Sequence, residues 1–295
     1  MKSQTVSFSQ HMQGRSSTRS VMMNILLALT PAFVASVFLF GPRTLMLTAV
    51  SVAACVLSEW AFRKILKREN TAGDLSAAVT GVLLVFSMPV GIHPLILILG
   101  DMIAVVAVKQ MFGGIGRNLV NPALTARVIL MAFFPVQMST WVKPFYYLEP
   151  SDAVSTATPL GIEKAGTSGA ISSLFRMFLG ERPGCLGETC ALALILGGVY
   201  LICKKVISPI IPLCYLGTAA VISFLAGRNP AYDLLSGGLL LGAFFMATDY
   251  TTSPSAPKGM VIYAVGAGVL TMLIRIFGWQ PDGVAFAVII MNLLT

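Results

Sequence analysis

Four small residues stand directly before a proline in an otherwise apolar chain: Ser155, Thr156, Ala157 and Thr158 precede Pro159. Because the residue before a proline favours an extended backbone, we expect the Thr158 hydroxyl to stand clear of any helix. The small neighbouring side chains leave room for a modifying enzyme and a bulky group. A hydroxyl on an exposed extended segment can accept a phosphodiester-linked group, although composition alone favours an ordinary Ser/Thr loop.

Two carboxylates lie within or at the end of apolar runs. Asp101 stands in the middle of "LILILGDMIAVVAV", and Glu59 stands near the end of an earlier run, four residues before Arg63. Acidic side chains at membrane depth are costly and commonly serve as cation or proton sites. We therefore expect Asp101 on an ion pathway, with a buried structural pair as the alternative. Glu59 is better explained as the i,i+4 partner of Arg63.

Two polar breaks interrupt the apolar pattern. The first contains "GGIG" and then Asn121 and Pro122, which predict a helix cap and a first helical turn. Its glycines permit close approach or positive φ, which suits helix packing and turns or the wall of a flavin or quinone pocket. The second, Ala247–Gly259, is either a connecting loop or non-helical backbone lining a cavity.

The five cysteines show no CxxC pattern, so no cysteine-ligated iron-sulfur or zinc site is predicted. Cys185 and Cys190 are five positions apart in a polar region. They form a disulfide if this region faces an oxidising compartment, or they remain two free thiols.

Composition identifies the elements that must position these residues. The 295 residues are 56% hydrophobic and 11% charged, with several apolar runs long enough to cross roughly 30 Å of hydrocarbon. Continuous runs favour helices over barrel strands, so the fold class is an all-α polytopic membrane protein. The net charge of +8 comes from short Lys and Arg clusters between apolar runs, which argues against a nucleic-acid partner and for contact with membrane lipid.

About ten transmembrane helices are predicted. They lie near 21–40, 44–62, 75–90, 94–112, 122–138, 189–207, 209–227, 231–248, 258–277 and 281–295. The first run is about 20 residues long and lacks a small-residue cleavage site after it, so we expect the N-terminus to stay attached.

The distribution of basic residues predicts a cytoplasmic N-terminus. The inner segments then carry Lys2, Arg15, Arg19, Arg63, Lys64, Lys67, Arg68, Lys109, Arg117, Arg127, Lys204, Lys205 and Lys258, and the short outer loops carry Arg43, Arg228 and Arg275. The predicted organisation is a cytoplasmic segment 1–20, a first membrane repeat 21–138, an extracytoplasmic loop 139–188 and a second membrane repeat 189–295.

Internal similarity supports two repeats. The stretch Asp74–Pro89 resembles Asp233–Thr248, and Met111–Met131 pairs loosely with Ile276–Met291. Each repeat would hold five spans, and an odd number inserts the second repeat with opposite topology. This predicts two inverted five-helix repeats around an axis in the membrane plane.

Several ordered motifs carry a family resemblance from Met22 to Leu294. They are "PAFVASVFLFG", "TGVLLVFSMP", "KQMFGGIGRNLVNPAL", "FPVQMSTW", "DAVSTATPL", "GAFFMATDYTTSP", "IRIFG" and "PDGVAFAVIIMN". In this order they resemble the D-type subunit of the Rnf-type ion-translocating electron transport complex. That subunit is related to the B-type subunit of the Na⁺-translocating NADH:quinone oxidoreductase.

The resemblance implies a covalent FMN, joined through a phosphoester to the last residue of an S-x-A-T motif. Here the motif begins at Ser155 and places the FMN on Thr158, not on Thr156. It also implies a urea-channel-like fold, a flavin transferase acting outside the cytoplasm, and a non-covalent riboflavin whose residues are unassigned. The outer loop is shorter than in some relatives, and relatives often continue beyond "NLLT", so a shortened C-terminus is expected.

The function implied by the resemblance is that of an oxidoreductase and translocase subunit in a bacterial or archaeal cytoplasmic membrane. It relays electrons within a complex that couples ferredoxin and NAD⁺ oxidoreduction to Na⁺ or H⁺ movement, and the other flavin- and iron-sulfur-carrying subunits are its partners. The alternatives are a stand-alone channel or secondary transporter with Asp101 at its site, or a structural assembly subunit.

Overall fold

The computed structural model describes most of the chain: residues 17–69, 71–148, 155–164, 173–278 and 280–295. Most of the predicted cytoplasmic segment 1–20 lies outside these residues, as do two stretches of the predicted outer loop, 149–154 and 165–172.

The first half of the described chain is built from helices that follow the predicted spans. They are α1 (Thr18–Phe40), α2 (Arg43–Ile65), α3 (Ser76–Phe86), α4 (Pro94–Met102), α5 (Pro122–Phe133) and the single-turn α6 (Pro135–Met138). A π-helix, Ile103–Gln110, continues α4, and a 3₁₀ turn, Ala72–Asp74, precedes α3.

Short elements occupy the described parts of the predicted outer loop. They are β1 (Trp141–Val142), a 3₁₀ turn (Tyr146–Leu148), β2 (Ser155–Thr156), α7 (Pro159–Lys164) and α8 (Leu174–Leu179). The two strands form one antiparallel pair.

The second half again consists of helices in the predicted apolar segments. They are α9 (Ala191–Cys203), α10 (Ile210–Leu225), α11 (Pro230–Leu235), α12 (Leu239–Leu241), α13 (Pro257–Phe277) and α14 (Val284–Leu293). A π-helix, Gly242–Met246, continues α12.

Three of the described helices, α1, α2 and α13, are long and apolar enough to cross a membrane. Five shorter apolar helices of 10 to 17 residues accompany them: α3, α5, α9, α10 and α14. The chain is therefore a mostly helical, multi-pass membrane protein. Large apolar side chains such as Phe38, Leu57 and Phe224 are exposed on its helices, as a lipid-facing surface requires.

The predicted fifth and eighth spans are not continuous helices. Pro135 separates α5 from α6, because a proline inside a helix removes a backbone hydrogen bond. The eighth span is broken between α11 and α12, where Gly237 adopts φ +61° and Gly238 follows it. Two adjacent glycines weaken a helix, and the continuous helix predicted over 231–248 is wrong at this point.

The helix start predicted at Asn121 and Pro122, in the first polar break, is confirmed. The Asn121 side chain accepts hydrogen bonds from the backbone N–H groups of Ala123 and Leu124, at 3.1 and 3.2 Å, and α5 begins at Pro122. In the preceding "GGIG" segment the three glycines have φ of +110°, +94° and +87°. This backbone requires glycine and turns the chain back into the protein before α5.

The interior is formed by helices from both halves of the chain. Helix α1 contacts α9, α5 contacts α14, and α5 also contacts α3 and α4. Around this interior, α2 packs on α3 and α4, and α10 packs on α13. Functional groups on α3 to α5 and on α11 to α14 are thus brought close to the centre of the protein.

Candidate functional site

The Ser-Thr-Ala-Thr motif begins on the two-stranded ladder of the outer loop. Trp141 lies opposite Thr156 and Val142 lies opposite Ser155 in the antiparallel pair. Because β1 closely follows α6, the motif is attached to the chain that leaves the first membrane half. Ser155 and Thr156 thus have extended backbone, whereas the extended conformation was predicted for Thr158.

Thr158 differs from its prediction, because its hydroxyl caps a helix instead of standing clear of one. Its Oγ1 accepts a hydrogen bond from the backbone N–H of Gly161 at 3.2 Å, and its carbonyl accepts one from the N–H of Ile162. Pro159 begins α7, and a proline at the first helical position after a Thr cap is a favoured helix start.

The hydroxyl groups of the two threonines of the motif differ in their hydrogen bonding. The Thr156 hydroxyl oxygen is buried and has no hydrogen-bond partner among the described residues. The Thr158 side chain is half-buried, and its neighbour Ala157 is exposed and small. The Thr158 oxygen is therefore oriented by a hydrogen bond, whereas the Thr156 oxygen is buried without one among the described residues.

Helix α7 lies against one end of the second-half helices, near Gly237 and Gly278. Leu160 contacts Gly237, where an added Cβ would come within 2.9 Å of the leucine Cδ1. At the other end of α7, the Lys164 amino group donates a hydrogen bond to the Gly278 carbonyl, just after α13. Both contacts fix the segment that follows Thr158.

An ion pair adds to this docking. The Arg228 Nη2 lies 2.7 Å from the Glu163 Oε2, and the same guanidinium also contacts the Asp233 carboxylate. Partial burial raises the pKa of Glu163, and the positive charge of Arg228 opposes that rise.

The polar cluster continues from Asp233 into the protein through Arg275. The Arg275 Nη1 donates to the backbone carbonyl of Asp233 at 2.7 Å, and its Nη2 lies 3.3 Å from the Asp282 Oδ1. The Arg127 Nη2 lies 3.5 Å from the Asp282 Oδ2. We name Arg127, Arg275, Asp233 and Asp282 the outer cluster.

The outer cluster also explains how the break between α11 and α12 is tolerated. Arg275 donates to the Ser236 carbonyl at 3.0 Å, and the Gly238 N–H donates to the Asp282 Oδ1 at 3.0 Å. Backbone groups freed by the missing helical turn are therefore paired with charged side chains, as they must be at membrane depth.

Sequence reasoning missed the role of Arg127, which it counted as an inner-loop charge. Arg127 is buried within α5 and pairs with Asp282 from the segment before α14. Its position inside the apolar run "PALTARVILM" was the available signal, because an intramembrane arginine requires a partner.

Cys185 and Cys190 are both free in the structure. Cys185 is buried, with the Arg127 Nη2 at 3.6 Å from its sulfur, and Cys190 directly precedes α9. Of the two alternatives raised by the sequence, the structure shows the thiols.

Asp101 is fully buried near the end of α4, as expected for a carboxylate in the middle of a span. Its Oδ1 accepts hydrogen bonds from the Ser51 hydroxyl at 2.7 Å and the Cys55 thiol at 3.2 Å. Its Oδ2 has no partner within the described part of the chain. The alternative of a buried ion pair finds no basic partner for Asp101 among those residues.

Glu59 has a stronger partner than the one predicted. The Arg63 Nε lies 3.8 Å from its Oε1, which confirms the i,i+4 pair, but the Lys109 Nζ lies 2.8 Å from its Oε2. Lys109 also donates to the Ser76 hydroxyl at 2.6 Å and is 2% exposed. Lys109, which the sequence analysis counted with the inner segments, is therefore a buried ion-pair residue. The sequence signal for this buried pair was a lysine at the end of an apolar run, where a charge needs a partner.

The two polar breaks meet at a narrow cleft with a cavity volume of about 60 Å³. The Asn121 amide joins the breaks by donating to the Met246 carbonyl at 3.2 Å. Polar and aromatic side chains line the cleft, including Ser76, Lys109, Asn118, Asn121, Phe244 and Asp249. The segment beginning at Ala247 thus lines a cavity and is more than a connecting loop.

Comparison with known proteins decides the family. The model of the NQR2, RnfD, RnfE family matches residues 5–295. The chain belongs to this family. The resemblance read from the ordered motifs is confirmed.

Individual relatives are similar in sequence to this chain over nearly its full length. The chain is 44% identical to the D-type subunit of the Na⁺-translocating ferredoxin:NAD⁺ oxidoreductase complex of Acetobacterium woodii, covering 99% of this chain and 91% of the relative. It is 41% identical to the D-type subunit of the proton-translocating ferredoxin:NAD⁺ oxidoreductase complex of Clostridium ljungdahlii, with coverage of 99% and 92%. The D-type subunit of an ion-translocating oxidoreductase complex of Stutzerimonas stutzeri is 36% identical, with coverage of 95% and 89%.

Proposed function

We propose that this chain is the membrane subunit of an Rnf-type complex and relays electrons through an FMN joined to Thr158 by a phosphoester. The complex couples ferredoxin:NAD⁺ oxidoreduction to Na⁺ or H⁺ translocation. The observation that carries the attachment is the Thr158 hydroxyl, which the Gly161 N–H orients beside the exposed Ala157, whereas the hydroxyl oxygen of Thr156 is buried. The names of the relatives, as D-type subunits of such complexes, carry the assignment to the complex.

The residues around Thr158 fit a covalently attached group. Ala157 adds little bulk beside the hydroxyl, and the Gly161 N–H helps to orient the Thr158 oxygen. A bound flavin supplies exchange of one or two electrons, while the protein sets its position and surroundings. The protein's own contribution is to present a hydroxyl on a helix that is docked on the membrane helices.

Other steps of the reaction belong to partner subunits in this proposal. The sequence has neither a dinucleotide-binding motif nor a CxxC pattern, so we assign NAD⁺ binding and iron-sulfur chemistry to other subunits. A flavin transferase attaches the FMN. The names of the relatives differ in their coupling ion, and the proposal therefore includes both Na⁺ and H⁺.

The proposed architecture is two inverted five-helix repeats of the urea-channel type, in a bacterial or archaeal cytoplasmic membrane. The N-terminus is cytoplasmic and the Thr158 loop is outside. Supporting this arrangement, α1 contacts its counterpart α9 and α5 contacts its counterpart α14. In addition, α3 and α11 each begin beside a cluster of charged residues, with Lys109 and Glu59 at the first and Arg228 and Asp233 at the second.

A second flavin, riboflavin, is proposed to bind without a covalent bond. The cleft between the two polar breaks, at about 60 Å³, is smaller than the roughly 300 Å³ of a typical ligand pocket, so no residues are assigned to this flavin. Asp101 is proposed as part of the ion pathway, since its Oδ2 is buried and has no partner among the described residues.

One experiment separates this function from the alternatives. The denatured polypeptide, made with the transferase and run on a gel, should show flavin fluorescence under ultraviolet light if it carries covalent FMN. A stand-alone channel or transporter with Asp101 at its site should be dark, and so should a purely structural assembly subunit. A dark band from the wild-type complex would overturn the relay function.

A further inference from the structure

The guanidinium of Arg228 lies between the helix that carries Thr158 and the membrane helices. Its Nη2 is 2.7 Å from the Glu163 Oε2 of α7. On its other side, the Nε donates to the Asp233 Oδ2 at 2.9 Å and the Nη2 to the Asp233 Oδ1 at 2.8 Å. A guanidinium that contacts both oxygens of one carboxylate is held in a defined orientation.

Asp233 is itself fixed from the membrane side. Its Oδ2 accepts a hydrogen bond from the Ser223 hydroxyl of α10 at 2.6 Å, and its backbone carbonyl accepts one from the Arg275 Nη1 of α13 at 2.7 Å. Asp233 is 1% exposed. Arg228 is therefore anchored on a buried carboxylate, and its contact with Glu163 extends that anchor to α7.

The segment around Thr158 connects the two halves of the protein. On its N-terminal side, β2 pairs with β1, which leaves the first half. On its C-terminal side, α7 docks on the second half through Leu160, Glu163 and Lys164. Thr158 lies between these two attachments, so the position of any group on it depends on both.

We infer that Arg228 is a positioning residue, which fixes the Thr158-bearing helix on the outer ends of α10 and α13 through Glu163 and Asp233. This inference rests on the proposed function, because it concerns the place of the attached flavin. Glu163 is five residues from Thr158, which is roughly 7.5 Å along a helix. A loosened α7 therefore moves the attached group relative to its electron-transfer partners.

The test uses the intact, purified complex with two single variants and their combination. Glu163→Gln removes the charge on the α7 side and leaves the Arg228–Asp233 contact intact. Arg228→Gln removes the whole bridge, and the double variant shows whether the two effects are coupled. The matched control is Arg176→Gln, which breaks an exposed pair with Glu181 in the same outer loop, where the closest atoms are 3.8 Å apart.

Three measurements are made on each variant. Peptide mass spectrometry reports the FMN on Thr158, hydrogen exchange reports the protection of the Gly161 and Ile162 amides, and ferredoxin-driven NAD⁺ reduction reports electron flow. We expect FMN to be retained, the two amides to exchange faster, and electron flow to fall by about tenfold, because small displacements of reacting groups have large effects on rate. Arg228→Lys should restore part of the protection.

The outcomes distinguish the inference from the proposed function. The inference is overturned if Glu163→Gln or Arg228→Gln shows the same amide exchange rates and the same electron flow as Arg176→Gln, because Arg228 then does not position α7. The inference is also overturned if the fall in the logarithm of the electron-flow rate in the double variant equals the sum of the falls in the two single variants. Arg228 and Glu163 would then act separately. Wild-type peptide without FMN overturns the proposed function, while the exchange measurement still decides whether Arg228 holds α7.

Discussion

The side-chain oxygen of Thr158 accepts the backbone N–H of Gly161 at 3.2 Å, so the proposed attachment residue also caps α7. Substitution by alanine removes both the hydroxyl and the cap, and loss of a cap costs about 1 kcal/mol. Asparagine keeps a capping oxygen and lacks the hydroxyl. Thr158→Asn is therefore the control that separates loss of attachment from loss of helix structure.

Thr158→Ser should carry FMN on only part of the protein. Serine retains the hydroxyl needed for the phosphoester and also caps helices well, but it lacks the methyl group that restricts the side chain. The fraction carrying FMN is measured by the intact mass of the subunit. A serine variant with no FMN, made alongside fully modified wild type, would contradict an account based on the hydroxyl alone.

Asp101→Asn should lower ion transport and leave assembly and bound FMN intact. Asparagine is close to the same size and can still accept the hydrogen bond from Ser51, but it cannot carry the charge or the exchangeable proton. Transport is measured as Na⁺ uptake and acidification in proteoliposomes. The control is Thr271→Val, which removes an uncharged buried hydrogen bond to Tyr215 of 2.7 Å. Loss of the whole complex in Asp101→Asn would favour a structural role.

Lys109→Met should destabilise the protein strongly. It leaves the fully buried Glu59 without its closest basic partner, and breaking a buried ion pair costs about 3–5 kcal/mol. The midpoint of thermal unfolding of the purified subunit should fall well below that of Arg176→Gln, which breaks an exposed pair worth about 0–1 kcal/mol. Equal midpoints for the two variants would show that the Lys109 pair contributes little.

Topology is predicted from the positive charges. A reporter that is active only outside the cytoplasm should be active when fused near Ser168, a position outside the described residues, and silent when fused near Lys67. Reversed activities would place the Thr158 loop in the cytoplasm and remove the proposed route of its modification.

The sequence predicted those features that depend on local chemistry. Apolar runs located the helices, and the Asn121–Pro122 pair marked the start of α5, because caps and prolines act on the residues next to them. The Thr158 cap was missed, although Thr-Pro is also a local helix-start signal. An N-cap residue is itself typically extended, so the pre-proline preference does not keep its hydroxyl away from the helix that follows.

Long-range pairs could not be predicted in the same way. Lys109 meets Glu59 and Arg127 meets Asp282 only after distant helices pack together. The sequence showed that each charge stood in or near an apolar run and needed a partner. It did not show which of several opposite charges the fold would bring within reach.

The most direct test of the central claim is the mass of the peptide spanning residues 152–163, from protein made with the flavin transferase. The account predicts an added FMN on wild type and on Thr156→Ala, and none on Thr158→Ala or Thr158→Asn. Thr158→Asn should still assemble into the complex, because its cap is retained. FMN remaining on this peptide after Thr158→Ala, or absent from wild type, would contradict the assignment.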